Sequence, residues 1–345
     1  MSVRRSMLFL SETDVKKCLS MSGYIEANRR ALASIVEGGG GVVPTRLGLQ
    51  YFGGSTSSSS SAAAEDWTLF KPAALYDNDD KSTLMGIKVV GVRAENPSRG
   101  LPLVPATVVT TNAATGMVDA VMGGTYLTGA RTAAGSAIST GCCKSVVETL
   151  VVVGAGLQAE LHIEAIRCVH PEVSRVIVIN RSAERAEQLV ASLDDVPTTE
   201  VVLLSDTEAV QRAVGQADVL SCCTNTTTPL FRGSWVKPGC HITGVGSYTP
   251  KMQEVDKELV ERCRILLDTP EAMSVGDLKH LPAKHPATLL GNILLDESSM
   301  PSPTSDLVDC TFYKSVGTAI QDVVTANAIV QQAREMGIGT EVDMT

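Results

Sequence analysis

The stretch LVVVGAGLQAE, residues 150 to 160, joins an apolar run to a helical pattern through two glycines spaced for phosphate chemistry. A tight turn at Gly154, close backbone approach at Gly156 and a small Ala159 where helix packs on strand would seat a pyrophosphate at a helix N-terminus. The N–H groups of Leu157, Gln158 and the residues that follow would face it. The next strand pattern, VIVIN, ends at Asn180, the place where a carboxylate would hold the ribose hydroxyls of NAD. Arg181 and Ser182 stand there instead, with Arg185 one helical turn on. An arginine beside a hydroxyl suits a 2′-phosphate, which a carboxylate would repel, so these residues point to NADP(H) in preference to NAD(H). The alternative is that Arg181 is a solvated charge after a strand.

A second set of residues carries positive charge into apolar surroundings. Arg46 follows Pro44 in a strand-like stretch, Lys88 interrupts LMGIKVVGV, and Arg131 interrupts the small-residue helix LTGARTAAGSA. A charge there costs too much to desolvate without a partner or a ligand. Taken singly, Lys88 could be an edge-strand lysine reaching water, and Arg131 could sit in a salt bridge between domains. With its pKa lowered by cationic neighbours, Lys88 could also relay a proton, which makes it the candidate catalytic residue.

The third feature is GSYTPKMQE, residues 246 to 254, which follows the apolar run ending at Val245. A nucleotide-dependent enzyme often keeps an acid in such a loop, yet this one has no Asp and a single carboxylate, Glu254, at its far end. The histidines at 162, 170, 241, 280 and 285 show no catalytic spacing, and His241, on a strand, reads as a satisfied structural residue. Asp322, on the last helix, could orient a neighbour near the cofactor or be solvated.

These residues need a scaffold of two kinds. Residues 11 to 37 read as one or two helices. Short β-branched runs at 47–52, 68–75, 85–92, 106–112 and 117–121 read as an antiparallel sheet of hairpins. The low-complexity stretch GGSTSSSSSAAAED, residues 53 to 66, reads as a flexible surface loop between two strands. A small-residue helix at 126–143 then leads into alternating strand and helix patterns that specify a parallel, doubly wound Rossmann-type sheet. A long amphipathic helix over 315–337 returns to the first region. The expected fold is α/β, with a dinucleotide-binding domain over 133–314. A smaller α+β domain, for substrate binding and dimerisation, would comprise 1–132 with 315–345.

Composition agrees with a protein for small molecules. In 345 residues the charged share is 19% and the formal net charge is −9, which argues against a nucleic-acid surface. The apolar run MLFL near the N-terminus is too short for a signal-peptide core or a membrane span, so a cytoplasmic location is expected. Nine cysteines without CxxC or Cys/His ligand spacing imply free thiols and no metal.

Several motifs in order, GIKVV, GLP, LTGARTAAGSA, VVVGAGLQAELHIEAI, HITGVGSYTP and FYKSVGTAIQD, resemble those of the ornithine cyclodeaminase/mu-crystallin family over nearly the whole chain. The resemblance implies a homodimer joined through its antiparallel domains, with the substrate between the two domains and its carboxylate held by Arg46, Lys88 and Arg131. It also implies that Thr224 and Asn225 of SCCTNTTTP border the cofactor, and that Ser315 and Gly317 of KSVG approach the nicotinamide. Val245, Ser247 and Tyr248 are expected to line the same place.

Aligned on that family, Tyr248 falls where cyclodeaminases carry an Asp, and Met252 where they carry a Lys. Tyr, with an ordinary pKa of about 10, is a poor substitute for a carboxylate that must handle a distal amine. Reduction of a cyclic ketimine carboxylate needs no such acid. The resemblance therefore implies an NADPH-dependent reduction of pyrroline-2-carboxylate or piperideine-2-carboxylate to proline or pipecolate. It leaves open an ornithine cyclodeaminase, an alanine or other amino-acid dehydrogenase, and an NADPH-dependent ligand-binding protein as mu-crystallin is.

Overall fold

The computed structural model describes residues 6–50, 66–77, 81–193, 195–282, 285–302 and 308–344. The chain begins with strand β1 (Ser6–Leu10) and two helices, α1 (Glu12–Cys18) and α2 (Met21–Ser34). Ser11 starts α1 with a reciprocal capping box to Asp14, and Ser20 caps α2, so each helix begins where a serine satisfies its first N–H groups. Strands β2 (Gly41–Val42), β3 (Leu47–Gln50), β4 (Trp67–Tyr76), β5 (Thr83–Val92), β6 (Ala106–Asn112) and β7 (Val118–Gly123) follow, then helix α3 (Thr125–Cys143). The hairpin strands lie close to their expected bounds. Of the low-complexity stretch only Asp66 is described, and positions 51 and 52 of the 47–52 run lie outside the described residues.

After α3 the pattern changes to β8 (Thr149–Val153), α4 (Leu157–Val169), β9 (Arg175–Asn180), α5 (Ala183–Ala191), β10 (Thr198–Leu203), α6 (Thr207–Gln216), β11 (Val219–Cys222) and β12 (His241–Gly244). It continues with α7 (Lys257–Glu261), β13 (Cys263–Leu267), β14 (Ala287–Leu289), α8 (Leu290–Leu295) and β15 (Cys310–Lys314). Helix α9 (Ala319–Met336) and strand β16 (Thr340–Asp343) complete the chain.

Two compact units result, one of residues 1–131 with 318–345 and one of residues 132–317. In the first, a sheet runs β16-β1-β7-β6-β5-β4-β2, with β3 also paired to β4. The meander from β4 to β7 is antiparallel, as the alternation predicts. The terminal strands are an addition, β1 lying parallel to β7 and β16 antiparallel to β1. Apolar residues of α2, α9 and the sheet, among them Ala31, Leu75, Ile320 and Val323, form a core there.

In the second unit the order is β10-β9-β8-β11-β12-β15-β13-β14, all parallel. Strands β8, β9 and β11 are apolar on both faces because helices cover both, which is why they read as continuous runs. The chain leaves β8 towards β9 on one side and returns to β11 on the other, so the switch point of the doubly wound sheet lies between β8 and β11. All nine cysteines are free, five of them buried. Among the described residues no helix is long and apolar enough to cross a membrane, and no His/Cys/Asp/Glu group could hold a metal ion.

Candidate active site

In the first unit, antiparallel pairing sets Lys71 of β4 directly opposite Lys88 of β5, so both side chains rise from one face of the sheet. Both are buried, Lys88 at 1% exposure. Its Nζ donates to Oδ1 of Asp322 at 2.7 Å and to Oγ1 of Thr128 at 3.2 Å. Arg131 Nε donates to the same Oδ1 at 2.8 Å, and Lys71 Nζ stands 3.7 Å from Oδ2. Asp322 is carried in the first turn of α9, where the helix dipole favours its charge. Thr318 and Gln321 close a capping box that fixes this turn, and Gln321 Nε2 donates to Asn28 Oδ1 at 3.0 Å, tying it to α2.

Burial alone would raise the Asp322 carboxyl, but Lys88, Arg131 and Lys71 outweigh it and hold it well below the usual carboxylate range. Lys88 is pulled the other way. Desolvation takes its pKa well below that of an ordinary lysine, Arg131 and Lys71 add to the fall, and Asp322 opposes it. Lys88 and Arg131 thus share one oxygen of one carboxylate. Oδ2 of Asp322 accepts no hydrogen bond from the described residues although it is buried. Two cations on one oxygen beside an open acceptor make a place that can take a further anion and a further N–H.

The second unit gathers its polar groups at the C-terminal edge of its sheet. Gly154, after β8, has φ +117°, and a Cβ there would meet the Cys223 carbonyl oxygen at 2.8 Å, so only glycine serves both the turn and the contact. Gly156 is the N-cap of α4, with no side-chain cap, so the first N–H groups of this 13-residue helix are left to a ligand or water. At the end of β9, Asn180 Nδ2 donates to Ser182 O at 2.9 Å, and Ser182 caps α5. Arg181 and Arg185 are both exposed, and an Arg185 guanidinium nitrogen lies 4.0 Å from where a Gly156 Cβ would be. This glycine cradle, bare helix start and exposed guanidinium pair fit a dinucleotide's phosphates.

Behind that edge the loops are laced by buried carboxylates. Glu254 Oε1 accepts from Thr224 N at 2.7 Å and Thr224 Oγ1 at 2.8 Å, while Oε2 accepts from Gly246 N at 2.7 Å. Asp277 Oδ1 accepts from the N–H groups of Glu254 and Val255, at 2.7 and 3.1 Å. Its Oδ2 accepts from Ser247 Oγ and pairs with Lys314 Nζ at 3.1 Å, and Lys314 also donates to Ser247. Asp268 Oδ2 accepts from Ser315 Oγ and from the N–H groups of Val316 and Gly317, at 2.8, 2.9 and 2.6 Å.

Comparison with known proteins places this geometry. A sequence model of the ornithine cyclodeaminase/mu-crystallin family matches residues 70–337. The chain belongs to that family. It is 32% identical to a protein of Dictyostelium discoideum named an uncharacterized cyclodeaminase, over 98% of this chain and 100% of that one. It is 30% identical to the ketimine reductase mu-crystallin of Rattus norvegicus, over 95% and 97%. Among solved structures, the Thermococcus litoralis Δ1-pyrroline-2-carboxylate reductase in complex with NADH and L-proline superposes with a TM-score of 0.82 at 26% identity, covering 97% of this chain and 100% of that one.

Within this family fold, the structure brings Lys88 and Arg131 together as expected, but Arg46, half-buried before β3, is not among the cations paired with Asp322. Gly154, Gly156, Leu157 and Gln158 form the turn and helix start. Thr224, Asn225 and Val245 lie beyond the ends of β11 and β12, Asn225 exposed and the other two half-buried. Ser247 differs from expectation: its side chain is fully buried and its hydroxyl is committed to Asp277 and Lys314, so it does not line an open site. Ser315 is likewise buried, on Asp268, and Gly317 turns with φ +78°. Tyr248 is half-buried against the apolar core of this unit, and burial raises its pKa, so it remains a neutral phenol.

His241 is a satisfied structural histidine, between Ser139 Oγ at 3.0 Å and Thr311 Oγ1 at 2.8 Å, with burial holding it down at about 3. His162 lies between Ser136 Oγ and Gln158 O, held at about 4. Sequence reasoning missed Lys71, whose signal was a charge inside TLFKPAALY, and it left open whether Asp322 was solvated. Lys314 lay inside the quoted KSVG motif without being singled out, and Asp268 and Asp277 gave no local signal.

Proposed function

We propose that the protein is an NADPH-dependent reductase of cyclic ketimine carboxylates, converting pyrroline-2-carboxylate or piperideine-2-carboxylate to proline or pipecolate. The observation that carries this is the buried cluster in which Lys88 and Arg131 share Asp322 Oδ1. In this reading the substrate carboxylate takes the unused charge of Arg131 and Lys88, with Arg46 assisting. The open Oδ2 of Asp322 accepts the N–H of the protonated ketimine. When bound, the reduced nicotinamide supplies a hydride to the imine carbon, and the C=N π electrons become the amine lone pair. Lys88, with its depressed pKa, exchanges the proton that keeps the nitrogen cationic before reduction.

Gly154, Gly156 and the first turn of α4 hold the pyrophosphate, and Arg181, Ser182 and Arg185 hold a 2′-phosphate, since β9 ends in Asn180 and not a carboxylate. Tyr248 in place of an acid favours reduction over deaminating cyclisation. Ketimine and pyrroline carboxylate reductases among the relatives support the same chemistry. A homodimer is supported by the apolar surface of β3, where Leu47 and Leu49 are 59% and 53% exposed. The test is to follow cofactor absorbance with both imines, L-ornithine and L-alanine, each with NADP(H) and NAD(H). Oxidation of NADPH by at least one cyclic imine is expected. Turnover of ornithine or alanine alone, or none at all, would overturn the proposal.

A further inference from the structure

Four segments at the C-terminal edge of the second unit's sheet are joined backbone to backbone by three contacts, and each contact has a glycine at it. A Cβ on Gly154 would meet Cys223 O at 2.8 Å, one on Gly246 would meet Thr224 O at 1.6 Å, and one on Gly276 would meet Ser247 O at 2.1 Å. The loops after β8, β11 and β12 and the segment at Gly276 therefore form one stack, on the same edge as the switch point. The group that fastens the two central loops is Glu254. It lies at the far end of its own loop, fully buried, with its oxygens spent on Thr224 and Gly246.

We infer that Glu254 is a positioning residue for the dinucleotide: its carboxylate ties the loop after β11 to the loop after β12, and taking up a proton loosens that tie and weakens cofactor binding. The inference rests on the dinucleotide-binding reading above. Its physical basis is that every partner of the two oxygens offers a hydrogen. A carboxylate accepts all three bonds, whereas a carboxylic acid must direct its hydrogen at one of these partners. On Oε2 it would face the Gly246 N–H; on Oε1 only a rotated Thr224 hydroxyl could take it, leaving that oxygen a weaker acceptor for Thr224 N. Either way one of the two loops is held less firmly.

The surroundings place the proton exchange in a useful range. Burial is the largest influence on Glu254 and raises its carboxyl, nearby Asp277 raises it further, and Lys314 and the bonds from Thr224 lower it, leaving it at about 7. The thiols of Cys222 and Cys223 face it from β11 and the loop beyond, and burial pushes both well above an ordinary thiol. The imidazoles of His162 and His241, buried in the same unit and held at about 4 and about 3, do not titrate near neutrality.

The test is fluorescence titration of the full chain with NADH and with NADPH from about pH 5.5 to 8.5. Both dinucleotides are needed because a phosphate monoester itself ionises near about pH 6, and NADH lacks that group. If only the ionised clamp binds well, the wild-type dissociation constant rises about tenfold from one pH unit above the midpoint to one below it, for both dinucleotides. Glu254→Gln, which must point an amide hydrogen or leave an N–H unmet, binds at the weak low-pH level with no pH dependence. Thr224→Val removes one donor to the carboxylate and moves the midpoint to higher pH. A Glu254→Gln protein that keeps the wild-type profile overturns the inference, and if that variant does not fold, an unmoved midpoint in Thr224→Val overturns it. Binding of dinucleotide without any midpoint refutes the clamp alone, whereas no binding of either dinucleotide at any pH refutes the cofactor reading as well.

Discussion

The two units bury acidic and basic groups in opposite ways. Among the described residues, Lys88, Arg131 and Lys71 surround Asp322, and its Oδ2 accepts no hydrogen bond. Around Glu254 both oxygens are bonded to a backbone N–H, and nothing is left to offer a ligand. Burial is common to both. What separates them is whether the protein itself satisfies the cluster.

The sharpest way to break this contrast is Lys88→Met, which keeps most of the unbranched apolar stem and removes the charge. Turnover should fall about 10²- to 10⁴-fold if Lys88 exchanges the substrate proton, while the melting temperature stays level or rises because a costly buried charge has gone. A variant with unchanged turnover assigns Lys88 to structure. Asp322→Asn should act on stability instead. It leaves Lys88 and Arg131 buried without a counter-charge, for a loss of about 3–5 kcal/mol in denaturant unfolding, and an equally stable variant would show that the cluster is not held by charge.

Smaller effects probe the cofactor side. Replacing either Arg181 or Arg185 by alanine should weaken NADPH binding about tenfold and leave NADH binding nearly unchanged, since a charge-assisted bond to an exposed 2′-phosphate contributes about 1–2 kcal/mol. Equal losses for both dinucleotides would remove the case for NADP preference. The smallest effect is a slope. Glu254 has its folded pKa raised from 4.5 to about 7, so between those values the folded state holds more protons than the unfolded one. Its contribution to stability is present in full below about 4.5 and is lost as the pH rises through about 7. Relative to Glu254→Gln, the wild type should therefore lose melting temperature as the pH is raised through that window, and parallel curves would contradict the shift.

What could be read from the sequence follows from how local its causes are. The turn at Gly154, the strand before it and the helix after it are fixed by neighbours within a few residues, and their role in the fold was legible. Lys88 and Arg131 stood out because each breaks an apolar stretch. Lys71 carried the same signal, but only the β4–β5 register shows that it faces Lys88. Ser247 sat correctly in its loop and was assigned the wrong direction, because its partners Asp277 and Lys314 come from 30 and 67 residues further on. The pairing of β1 with β16 joins the two ends of the chain and leaves no periodic trace that short runs such as MLFL could reveal.

The glycine-keyed stack of loops has a consequence for how this protein can change. Where main chain rests on main chain there is no side chain to trim or swap, so substitutions at Gly154, Gly246 or Gly276 have no small steps available to them. Half-buried Tyr248 and Met252 and exposed Lys251 lie on the same loop outside those three contacts, so a change of side chain there does not have to move main chain against main chain.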